Sequence, residues 1–101
     1  MSRHGRLTES QVADAVMRVL GTLRDGEASV GLLKRELPNH IELSDADRTP
    51  SVTRPGEELW EQQVRNLVSH RKSPGNAVHD GLLAYRPGRL AITEAGRARI
   101  H

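Results

Sequence analysis

Apolar residues along this chain recur with two spacings, one suited to helices and one to strands. In LTESQVADAVMRVLGTLRD, Val12, Val16, Val19, Leu20 and Leu23 fall at steps of three and four, the pattern of one buried helix face. Thr8 can cap that helix, Gln11 completes a capping box and Leu7 can staple onto Val12, so a first helix is predicted over about 9–23. DGEAS then turns the chain. SVGLLKRELPNHI predicts a shorter helix, capped by Ser29 or begun at Gly31 and stopped near Pro38, with Leu32, Leu33 and Leu37 or Ile41 inward. Residues 42–56, ELSDADRTPSVTRPG, are expected to be loop; Ser44 and Asp47 can cap one helical turn, and Pro50 and Pro55 prevent more.

A third helix is predicted over about 57–72, launched by Pro55 and Gly56 and ended by SPG. Trp60, Val64, Leu67 and Val68 form its buried stripe, about 100° wide. Glu57, Glu58 and Glu61 suit the positive end of its macrodipole, and His70, Arg71 and Lys72 the negative end. Residues 76–80 can make a helical turn stopped by Gly81. LLAY and RLAIT predict a hairpin over about 83–92, turning through Arg86-Pro87-Gly88-Arg89, where Pro supplies φ near −65° and Gly a positive φ. Thr93 and Glu94 cap a short last helix with Ala95 and Ile100 inward.

The expected class is therefore mainly α with a small β-hairpin. The order helix, helix, loop, helix, hairpin, helix is that of a winged helix-turn-helix, in which one helix enters the major groove and the hairpin touches backbone or minor groove. A chain of 101 residues has room for one domain, residues 1–101, with 1–7 expected as a flexible arm. The core must be aliphatic, because there is no Phe, one Trp and one Tyr. The absence of Cys excludes disulfides and thiolate metal sites and is compatible with a reducing cytosol. No apolar run approaches the roughly 20 residues of a membrane span, and MSRHGRLTES lacks the apolar segment of a secretory signal, so a soluble cytoplasmic protein without a membrane partner is expected.

Charge changes the picture. The net charge is +2, but residues 1–62 carry eight Lys/Arg against eleven Asp/Glu while residues 63–101 carry seven against two. The basic end follows the third helix, whose outer face carries Gln62, Arg65, Asn66 and Ser69 in place of the usual Glu and Lys. Asn and Gln can pair with adenine N6 and N7, Arg with guanine O6 and N7, and Ser with either base, so these four are the candidate base readers of double-stranded DNA. Simple solvation, with Asn66 bonding locally, is the bland alternative, and Arg65 has Glu58 or Glu61 within helical reach as ion-pair partners. His70, Arg71, Lys72 and Ser73 at the helix end, Arg86 and Arg89 at the hairpin turn, and Arg3 and Arg6 in the arm are candidate contacts to the DNA backbone. Arg97 and Arg99 are expected only to complement the last helix's C-terminus.

The acidic loop LSDAD, then ELWEQQVRNLVSHR, the DGLLAY segment and the closing AITEAGRARI resemble, over residues 8–100, a known family. It is the winged-helix domain at the N-terminus of Mrr-type restriction proteins, also found as a module of methylation-dependent endonucleases. The resemblance implies sensing of modified, methylated DNA for a restriction system. Because related domains contact the methyl of N6-methyladenine through apolar and aromatic groups, it also makes Trp60 a candidate methyl contact, although its place on the apolar stripe makes it a core anchor first. The family's nuclease domain is not visible here: the clustered carboxylates and Lys of metal-assisted phosphodiester cleavage are missing, so no catalytic residue is expected. A nuclease domain or separate effector is the expected partner. His4, His40, His70, His79 and His101 are too scattered to ligate a metal, and no cofactor is expected. Two alternatives remain open, a transcriptional repressor of an unmodified operator and a winged helix that binds protein.

Overall fold

A computed structural model of the chain describes residues 5–100. The Thr8 hydroxyl accepts from the Gln11 N–H at 3.1 Å and the Gln11 side chain accepts from the Thr8 N–H at 2.9 Å, so the reciprocal cap starts helix α1 (Glu9–Thr22). Ala13, Ala15 and Met17 are buried beside the expected Val12, Val16, Val19 and Leu20, while Leu23 lies just past the helix and is half-buried. The buried arc is wide because α1 is the central helix, touched by every other helix and by the sheet.

The chain then departs from expectation. Glu27–Ser29, read as part of a turn, is a strand, β1, and Ser29 caps helix α2 (Val30–Glu36) by accepting from the Leu32 N–H at 3.1 Å. A 3-10 turn, Leu37–Asn39, follows, with Pro38 in its first positions. Strands β2 (Leu83–Arg86) and β3 (Arg89–Ile92) form the expected hairpin, and β1 adds to β3, giving a three-stranded antiparallel sheet in the order β1-β3-β2. Pro87 and Gly88, the latter at φ 74°, make the turn. The Gly88 carbonyl accepts from the Val30 N–H at 2.9 Å, fastening the hairpin tip to the start of α2. Ala28, Leu83 and Leu90 point into the core, and each of the two leucines contributes about 1.5–3 kcal/mol by its burial.

Helix α3 (Leu59–Ser69) is shorter at both ends than the 57–72 expected. Residues 57 and 58 are drawn into extended pairing with the preceding loop: Pro50 and Glu58 form an antiparallel bridge, and the Ser51 N–H donates to the Glu57 carbonyl at 2.8 Å. At the other end His70 caps the helix, and Arg71, Lys72 and Ser73 lie in the turn beyond it. Helix α4 (Glu94–Arg99) is capped by the Thr93 hydroxyl as expected, but its inward residue is Gly96, not Ala95, which is exposed. A Cβ at position 96 would collide with the Leu82 carbonyl, so the close approach of α4 to the residue just ahead of β2 requires glycine there.

Residues 5–7 are not a loose arm. Leu7 is buried, its N–H donates to the Asp47 carboxylate at 2.7 Å, and its carbonyl accepts from the Gln63 amide at 3.2 Å. Asp47, 1% exposed, also accepts from the Ser44 N–H and hydroxyl, so the predicted Ser44–Asp47 turn forms and clamps the N-terminal residues beside α3. No described helix is long and apolar enough to cross a membrane.

Candidate nucleic-acid interface

Trp60, Val64 and Leu67 bury the inner face of α3. Trp60 is 5% exposed and its indole N–H donates to the Glu58 carboxylate at 2.9 Å, so the ring is a core anchor whose polar edge is already bonded. That placement leaves little of the ring for the methyl contact considered above.

The four outward residues separate into two flanks. Gln62 and Asn66 line a cavity of about 150 Å³ together with Trp60 of the same helix and with Arg6, Leu7 and Asp47 opposite. Both amides are engaged there, Gln62 accepting from the Ser51 hydroxyl at 2.9 Å and Asn66 donating to the Gln63 side chain at 3.1 Å. Arg65 and Ser69 line instead a cleft of about 240 Å³ between α3 and the hairpin, shared with Val30, Arg54, Tyr85 and Gly88. Arg71 stacks over the Tyr85 ring, 4.7 Å from its centroid, and donates to the Val68 carbonyl at 2.9 Å.

Arg65 is ion-paired, but not with the residues its helical spacing suggested. Its Nε donates to both oxygens of Glu57, at 2.9 and 2.8 Å, and Lys34 from α2 donates to the same carboxylate at 2.9 Å. Burial pushes the Glu57 carboxyl up, and the hydrogen bonds and charges of Lys34 and Arg65 outweigh it, holding the group below the ordinary glutamate range. Glu57 escapes its expected role at the helix start because it lies ahead of α3, not on it. A parallel arrangement occurs on the hairpin, where Arg89 Nε donates to Glu27 at 2.7 Å and Arg86 approaches the same carboxylate at 3.7 Å. The hydrogen bond from Arg89 holds the Glu27 carboxyl low. Cross-strand register puts Glu27, Arg86 and Arg89 on the sheet face turned away from the core, close to the tip and outside the α3 cleft.

The remaining candidates are dispersed. His70 bonds Glu9 at 2.6 Å and, with Ser73, faces the start of α1 and not the cleft. Lys72 is exposed, Arg6 is exposed beside the amide flank, and Arg3 lies outside the described residues. Arg97 and Arg99 lie in the last turn of α4 as expected, and Arg99 in addition pairs with Asp14 of α1 at 3.1 Å. Arg54 and Tyr85 are cleft residues the sequence did not single out; the only signal for Arg54 was a cation next to Pro55 in a loop leading into the polar-faced helix. Among the described residues no group of three or more His, Cys, Asp or Glu is placed to hold a metal ion.

The site therefore belongs to a helical domain carrying a three-stranded antiparallel sheet, with a cationic cleft between one helix and a hairpin. Compared with protein-family models, with curated proteins and with solved structures, the chain matches none of them.

Proposed function

We propose that this chain is a winged helix-turn-helix that binds double-stranded DNA, with α3 as the recognition helix and the β2–β3 hairpin as the wing. One observation carries this most directly: Arg54, Arg65 and Ser69 converge with the hairpin tip at Gly88 around a single cleft. A helix whose outer face offers guanidinium and hydroxyl donors suits base edges in a groove about 12 Å wide, and the cations around it suit phosphate. The expected role is recognition of methylated DNA for a restriction system, with cleavage supplied by a nuclease domain or effector; this part is supported by the resemblance of the LSDAD, WEQQVRNLVSHR, DGLLAY and ITEAGR segments to Mrr-type domains. The burial of Trp60 favours the second reading, a repressor that binds an unmodified operator.

Fluorescence anisotropy over a salt series, on matched duplexes that are unmodified, N6-methylated at adenine or 5-methylated at cytosine, tests this. Binding should weaken steeply as salt rises. A preference for one methylated duplex supports the restriction role, tight sequence-specific binding of unmodified DNA supports the repressor, and no salt-sensitive binding to any duplex overturns the proposal.

A further inference from the structure

We propose, on the basis of the DNA-binding reading above, that Glu57 is a positioning residue that presents Arg65 to a guanine in the major groove. The carboxylate takes only the Nε edge of the guanidinium, at 2.9 and 2.8 Å. Neither terminal amino group of Arg65 has a hydrogen-bond partner among the described residues, and its side chain is 41% exposed at the cleft. Because the guanidinium is planar and rigid, fixing its Nε edge fixes the plane of the group and turns the pair of terminal N–H donors away from Glu57. Two parallel donors on an exposed edge match guanine O6 and N7, the commonest bidentate contact in the major groove.

The clamp is itself held. Glu57 is 11% exposed on its side chain, and Lys34, 22% exposed, fixes it from α2 with a bond of 2.9 Å while standing 3.6 Å from Glu61. An arginine on a freely rotating side chain would lose rotamer entropy on contacting a base; this one has lost most of it on folding. Glu27 holds Arg89 by the same edge on the hairpin, but there both partners sit on the outer sheet face, where backbone phosphate is the accessible acceptor.

The proposal is tested by recovering tight-binding duplexes from a random-sequence pool and replacing each guanine in turn by 7-deazaguanine, which lacks the N7 acceptor. One replacement should weaken the wild-type protein by roughly tenfold or more, the loss of a bidentate base contact. Glu57→Gln should bring that ratio close to one while raising affinity for random duplex, since it removes a negative charge near the DNA. Arg65→Lys, which keeps the charge and loses the fork, should abolish the same discrimination. Circular dichroism establishes that both variants are folded. The inference is overturned if salt-sensitive binding is present but no guanine is sensitive, or if Glu57→Gln keeps the full discrimination. An absence of salt-sensitive binding in the wild type overturns the DNA-binding reading and this inference with it.

Discussion

The two flanks of α3 carry similar polar side chains and put them to different use. On one, Gln62 accepts from Ser51 of the preceding loop and Asn66 donates to Gln63 one turn back on the same helix, beside a cavity that Leu7 and Asp47 also line. On the other, Arg65 is fixed by Glu57 but keeps an edge open to the cleft, beside the exposed Ser69. Gln62 commits its carbonyl oxygen to Ser51 and Asn66 one N–H to Gln63, which constrains how either amide can turn toward a base, whereas a guanidinium with five donors can hold a carboxylate by one edge and present a second edge whole. Side-chain type alone therefore does not identify a reading surface; what internal bonding leaves a side chain free to present matters as much.

The comparison breaks first at the inner face that both flanks share. Trp60→Ala should destabilise the domain by about 3–5 kcal/mol in chemical denaturation, as expected for emptying a buried aromatic site; an unchanged midpoint would remove Trp60 from the core and reopen its role as a methyl contact. Next, Arg54→Ala on the cleft flank should weaken DNA binding several-fold with stability nearly unchanged, because Arg54 is exposed and contributes chiefly charge. Gln62→Ala on the amide flank should do the reverse, costing about 1 kcal/mol of stability through the lost Ser51 bond. Equal effects of the two on affinity would erase the distinction between flanks.

The smallest effect concerns acid. Glu57 has a folded-state pKa below the unfolded value near 4.5, so its contribution to stability is complete above that value and is lost as pH falls through the lower folded one. In melting curves taken from about pH 6 down to about pH 3, the stability advantage of wild type over Glu57→Gln should shrink toward zero. A gap that stays constant over that range would mean that Glu57 does not tie α2 to α3 through its charge.

How far the sequence could be read follows from how local each determinant is. The start of α1 was legible because Thr8 and Gln11 sit three residues apart and cap one another. The hairpin turn was legible because Pro87 and Gly88 each supply a required φ. Strand β1 was not, since three residues show no usable alternation and its partner, β3, lies far along the chain. Periodicity points to Ala95 and not Gly96 as the inward residue because it registers apolar side chains, whereas what decides that contact is the Leu82 carbonyl. Helical spacing separates the polar face of α3 from its buried stripe but misses the partner of Arg65, because Glu57 precedes the helix in a segment bridged to the loop through Pro50 and Glu58.

The hydrogen bond from Val30 to Gly88 has a mechanical consequence. It ties the hairpin end to the start of α2, so a swing of the tip away from the helices behind it must break that bond. Under the proposed function the span between hairpin tip and α3 then works as a fixed caliper, set before any duplex arrives, and it is the DNA that must widen, narrow or bend until its grooves fall into step.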